Sequence, residues 1–145
     1  MLLDRYVMHL IDTSSLPLAD QAFTFVRQIA EGGPGFLSTH LAERFIVGTT
    51  AGANLVERDR FIQAALGRAD LLARVGLSAP TLVSVDVAEL GAAYILLTAH
   101  WAMPLPAGDL DLIEDLLVDR TGEEWVCQAY LLRQDLPTLV TGGPR

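Results

Sequence analysis

The chain contains no lysine. All ten basic residues are arginine, against 18 aspartates and glutamates, for a formal net charge of −8. Neutralising phosphates needs a basic face, so nucleic acid is not an expected partner. Cysteine is almost missing too: Cys127 stands alone. One cysteine can form neither an intramolecular disulfide nor a thiolate zinc cluster, and such a composition fits a reducing, cytoplasmic setting. No apolar run approaches the roughly 20 residues needed to span a bilayer, so no membrane partner is expected. The opening MLLDRYVMHLID places Asp4 early and has no basic stretch ahead of a clean apolar run, unlike a signal peptide. His9 and His40 have no second histidine or carboxylate at ligand spacing. Neither a metal site nor a cofactor is therefore expected. The TTAG turn at 49–52 lacks the lysine of a phosphate loop.

What is present is apolar and patterned. Hydrophobic residues make up 51% of the 145, enough for the core of one domain. Residues 1–12 suit a short helix or a strand equally. Ser14 and Ser15 offer N-caps, with Pro17 in a first helical turn. Leu18, Ala22, Phe25 and Ile29, flanked by Ala19, Phe23, Val26 and Ala30, form a wide helical stripe, implying packing around much of the helix. GGPG at 32–35 stops that helix, and a shorter helix fits 36–43. RFIVGTTAGANLV reads as strand, turn and strand. Residues 57–74 return to helical period, with Gly76 as a C-terminal cap and Pro80 beyond.

The last third has the period of a sheet. Val83, Val85 and Val87 alternate with smaller or polar residues, Gly91 marks a turn, and strands follow over 92–103, 110–119 and 123–134. A three-residue loop, Arg120–Thr121–Gly122, joins the last two strands, with Gly122 left-handed. That loop sets Asp119 against Glu123, Glu114 against Gln128, Leu112 against Tyr130 and Leu116 against Val126. Phe23, Val26, Phe61, Leu66, Val85, Leu97 and Leu131 are the expected core. Leu97, Trp101 and Leu117 are expected on an outer sheet face that the helices cannot cover.

LAERFIVGTTAG, ERDRFIQAAL, AHWAM and LLVDRTGEEWVCQAYLLRQDLP together resemble the nuclear transport factor 2-like superfamily, including its SnoaL-like branch, over about residues 16–137. The resemblance implies an α+β fold, a cone-shaped barrel of N-terminal helices packed on a strongly bent, mostly antiparallel sheet. Residues 1–145 would form one such domain, with 1–15 as an N-terminal extension and 138–145 as a tail. It also implies a hydrophobic cavity and, in many members, dimers through the convex face. Superfamily membership does not decide activity. The catalytic carboxylate of the steroid-isomerase branch falls on Thr49, which cannot abstract a carbon-bound proton, and its tyrosine falls on Phe25. The Arg and Asp pair of the epoxide-hydrolase branch is missing around His100, Trp101 and Ala102.

Glu114 is the leading candidate for chemistry. It lies between Leu112 and Leu116 on an otherwise apolar strand face, where desolvation raises a carboxyl pKa and suits it to acid–base work. The plainer reading is a carboxylate at a dimer surface or bonded to Gln128. His100, beside Trp101, is a candidate proton shuttle or a packed histidine. Tyr94, Gln128, Tyr130 and Phe25 are candidate ligand contacts, or ordinary buried groups. The resulting expectation is a homodimeric domain that encloses a small apolar molecule. The alternative is a SnoaL-like enzyme, of cyclase, isomerase or hydrolase type, acting on a hydrophobic or polyketide-like substrate.

Overall fold

A computed structural model describes residues 16–74, 76 and 78–134, with the side chains of 67–73 left aside. The extension 1–15, with its two serine caps, and the tail 138–145 lie outside the described residues. Three helices precede or interrupt six strands: α1 (Leu18–Glu31), α2 (Gly33–His40), β1 (Leu41–Thr49), β2 (Gly52–Glu57), α3 (Arg58–Arg74), β3 (Thr81–Leu90), β4 (Tyr94–Met103), β5 (Leu110–Asp119) and β6 (Val126–Leu132). The sheet order is β2-β1-β6-β5-β4-β3. β1 and β6 run parallel and every other neighbouring pair is antiparallel. The helices pack on one side of this open α+β sheet, with α1 against β3 and α2 and α3 against β1.

Local sequence explains the elements. Pro17 takes the N-cap position of α1, its carbonyl accepting from the Gln21 N–H at 3.0 Å. The helix buries Ala22, Phe25 and Val26 while Ala19 and Ala30 stay exposed, so its apolar stripe is narrower than the sequence suggests. Gly33, at a φ of 73°, turns the chain between α1 and α2, and Pro34 follows in the first turn of α2. The second helix therefore starts earlier than the sequence suggests, and β1 begins at once after His40.

Strand β4 has the cleanest alternation. Ile95, Leu97, Ala99, Trp101 and Met103 are all buried beneath the helices. This corrects the expected outer placement of Leu97 and Trp101: they share the parity of Ile95 and lie on the concave face. Leu117 does face outward, paired with Leu96. Two expected core residues are exposed, Leu66 at 46% and Leu131 at 40%, while Phe23, Phe61 and Val85 are half-buried. Leu131 pairs with Gly48 and Asp115, which puts it on the outer face.

The β5–β6 hairpin also departs from the sequence reading. Glu114 pairs with Leu132, Leu116 with Tyr130 and Asp119 with Val126. The connection is longer than three residues and Gly122 is not left-handed. Asp119 Oδ1 instead accepts from both the Thr121 N–H at 2.8 Å and the Thr121 hydroxyl at 2.6 Å, ordering a wider turn. Gln128 has no cross-strand partner between the Leu117–Ala129 and Val118–Cys127 pairs, so it is the bulged residue of β6.

Candidate functional site

Among the described residues, the inner side of β5 is apolar except at one place. Leu112, Glu114, Leu116 and Val118 line the inner side of β5, and Glu114 is the charged member of that row. Trp101 and Tyr130 flank it diagonally, because Trp101 pairs with Leu112 and Tyr130 with Leu116. The Trp101 indole N–H donates to Glu114 Oε1 at 2.8 Å, and the Tyr130 hydroxyl donates to Glu114 Oε2. Each oxygen of the carboxylate thus accepts from a neutral aromatic donor. Tyr130 continues into an aromatic line, with the Phe61 ring 6.0 Å away and Phe45 a further 5.0 Å on, both edge-on. The expected contact from Gln128 to Glu114 is replaced by these two donors.

Cys127 lies beneath the same wall, fully buried. Burial pushes its thiol up to about 12, with the nearby Glu114 charge adding to the rise against a hydrogen bond to the Ala129 carbonyl. Such a thiol is packing, not a nucleophile.

The remaining sequence candidates separate. His100 pairs with Ser84 and Ile113, so it sits on the outer face, across the sheet from Glu114. Its Nε2 is 3.0 Å from Asp86 Oδ2. The two groups cannot serve one substrate as an acid–base pair. Tyr94 is also on the outer face, 40% exposed. Phe25 is buried against Phe36, His40 and Trp125, at centroid distances of 6.3, 5.7 and 5.4 Å. That packing makes it a core residue rather than a ligand contact. Of the six named residues, the structure brings Glu114 and Tyr130 together.

Two arrangements escaped the sequence reading. Trp101 was expected on the outer sheet face, and its role as donor to Glu114 depends on register across β4 and β5, which no local pattern encodes. His40 was read as solitary. Its Nδ1–H donates to the Trp125 carbonyl at 2.8 Å, and its ring stacks on Phe36 at 4.0 Å. It fastens the β5–β6 turn to the end of α2.

The outer face carries its own polar group. Arg133 chelates Asp115, Nε to Oδ2 at 2.8 Å and Nη2 to Oδ1 at 2.9 Å, and the Thr98 hydroxyl adds a bond to Oδ1 at 2.8 Å. The Arg133 hydrogen bond holds the Asp115 carboxyl below its ordinary value, aided by Thr98 and opposed by burial. Among the described residues no cluster of histidine, cysteine and carboxylate could hold a metal ion. No helix among them is long and apolar enough to cross a membrane.

No family model and no curated protein matches the chain. Solved structures do. A protein of unknown function in nutrient uptake from Rhodospirillum rubrum, described as NTF2-like, superposes with a TM-score of 0.53 at 16% identity, covering 80% of this chain and 97% of its own. An NTF2-like protein from Cytophaga hutchinsonii gives 0.56 at 10% identity, covering 79% and 93%. The chain has the NTF2-like fold. A candidate ketosteroid isomerase from Shewanella frigidimarina shares that fold, with a TM-score of 0.55 at 14% identity over 82% of this chain and 97% of its own. At these identities the likeness concerns the NTF2-like backbone. The chemistry has to be argued from the residues on its wall.

Proposed function

We propose that this NTF2-like domain encloses one small, mostly apolar molecule against its concave face, with Glu114 as the polar contact. The observation that supports this reading is the doubly hydrogen-bonded Glu114 set among Leu112, Leu116, Ala99 and an aromatic line. Ligand sites are commonly apolar surfaces with a few fixed polar groups. Titration with Nile red tests it. Saturable binding at one site per chain, weakened by Glu114→Leu, supports the proposal, whereas the absence of saturable binding removes it.

A second reading is the SnoaL-like enzyme on a hydrophobic or polyketide-like substrate. What favours it is the Tyr130–Glu114 hydrogen bond, which sets a proton donor against a proton acceptor inside the apolar wall. In that role Glu114 would act without His100, which lies across the sheet. Turnover of a substrate that Glu114→Gln abolishes without unfolding would establish it.

The same proposal includes a homodimer. One register row, Leu55–Ile46–Ala129–Leu117–Leu96–Ala88, crosses all six strands on the outer face without a polar residue. A face six strands wide at ~4.8 Å per strand is of the size that a standard interface needs. The polar groups beside it, Asp115 with Arg133 and Asp86 with His100, are paired within the face and suit a second copy. Light scattering should give a dimer, and Leu117→Asp should give a monomer. A monomeric native protein would remove this part.

A further inference from the structure

The concave wall is covered. Leu97, Ala99, Trp101, Leu112 and Leu116 lie on it, and none is more than 8% exposed. A molecule placed against these side chains has to displace what packs on them. Among the described residues the covering elements are the three helices, and they are not equally anchored. α2 runs into β1 with no residue between His40 and Leu41, and α3 follows β2 directly, Glu57 to Arg58. His40 also ties α2 to the Trp125 carbonyl, and Phe61 sets α3 edge-on against Phe45 and Tyr130. α1 is joined differently. It ends at Gly32, whose N–H donates to the Gln28 carbonyl at 2.6 Å. Gly33 then takes a φ of 73°, and a Cβ added at Gly33 or Gly35 would meet nothing within 4 Å. Small residues in open space can absorb the backbone rotation of a hinge. Beyond that joint α1 rests on the edge strand β3, where Val85 and Val87 pair with Ala99 and Leu97 of the wall.

Resting on the proposed enclosure of a small molecule, we infer that α1 is the lid of that site. It pivots at Gly33–Gly35, and Phe25 is its latch. Phe25 is the largest of the three residues that α1 buries, beside Ala22 and Val26. Its ring meets Phe36 and His40 of α2 and Trp125 at the start of β6, all of them beyond the hinge in the chain. The latch is apolar, so releasing it strands no charge and no hydrogen bond of its own. What opposes opening is the apolar area of Ala22, Phe25 and Val26 returned to water, and this keeps the closed form dominant. An apolar ligand that covers the same wall offsets part of that loss, so it draws the population toward the open form by its differential affinity.

The test joins two measurements on the full chain. In native-state hydrogen exchange, the amides of α1 should open together at least about tenfold more readily than those of β4 and β5. In stopped-flow mixing with Nile red, the observed binding rate should level off at high probe concentration, because opening limits entry. Phe25→Leu loosens the latch and should raise both the α1 opening and the plateau by a common factor of about five or more. Phe25→Met serves the same purpose if the leucine variant does not fold, with circular dichroism as the check. If α1 is as protected as β4 and β5, if the binding rate climbs linearly without a plateau, or if the folded variant leaves the plateau where it was, the lid is overturned while the enclosed site stands. If α1 opens as expected but Nile red shows no saturable binding, the proposed site falls and takes the lid's role with it.

Discussion

Removing the indole N–H of Trp101 tests whether the Glu114 site is held as described. Trp101 is 8% exposed and its N–H reaches Glu114 Oε1 at 2.8 Å, while Glu114 is half-buried on the same apolar wall. Trp101→Phe keeps an aromatic ring but deletes the donor and some volume. Hydrogen bonds to charged groups contribute about 1.5–3 kcal/mol, and a volume loss in a packed wall adds about 1–2 kcal/mol more. The single variant should therefore lose about 2.5–5 kcal/mol. Volume and hydrogen bond separate in a double-mutant cycle with Glu114→Leu, which removes the acceptor and leaves an apolar side chain. The coupling energy between the two sites should be about 1.5–3 kcal/mol, because the second substitution no longer strands a partner. Urea unfolding followed by far-UV circular dichroism measures all four proteins, with a constant m-value as the check that only stability has changed. Coupling below about 0.5 kcal/mol would mean that the two groups do not act on each other, and the reading of the wall would be wrong.

Gly32→Ala should destabilise by about 1–3 kcal/mol, since an added Cβ would lie 2.5 Å from the Gln28 carbonyl oxygen and 2.7 Å from Phe36 Cβ; a neutral result in thermal unfolding would contradict the tight α1–α2 junction. Asp115 titrates below its ordinary value of 3.8, so it stabilises the native state above that value and the contribution disappears as pH falls through the native one. Unfolding measured from pH 7 down to 2 should show a loss below about pH 4 that Asp115→Asn flattens, and an unchanged profile would remove the Arg133 chelate as its source. Cys127, with its thiol pushed up to about 12 and fully buried, should resist iodoacetamide at pH 8 until urea unfolds the chain. Rapid native labelling, read by mass spectrometry, would place it at an accessible surface.

The sequence reveals the elements better than their pairing. Strand β5 spans the expected 110–119, and α3 starts one residue after the expected 57, because alternation and helical period are local signals. The hairpin register is not local. It is displaced by four residues beyond the bulge and by three at the turn, because Asp119 captures Thr121 in a wider turn and Gln128 bulges. The slip beyond the bulge is even, so each of those side chains keeps its face, and Glu114 and Tyr130 still meet. Leu97 and Trp101 were assigned to the wrong face for a related reason. The β4 run YILLTAHWAM is apolar at nearly every position, and parity alone cannot say which set meets the helices. His100 was a separate candidate, and the Ala99–Glu114 pairing, by putting consecutive residues of β4 on opposite sides, keeps it away from Glu114.

The parallel pairing of β1 with β6 has a consequence for biosynthesis. Ile46 sits beside Ala129 and Val47 beside Tyr130, so the β1–β2 hairpin joins the rest of the sheet through the last of the six strands alone. On a ribosome, β1 and β2 emerge early and must wait for β3, β4 and β5 before the strand that docks them is made. Pairings of such long sequence separation form slowly. During that interval Ile46 and Leu55, exposed even in the finished protein, and Phe45, buried only there, would lie open to other nascent chains. The turn that His40 fastens, just ahead of β6, would then be where synthesis and folding converge.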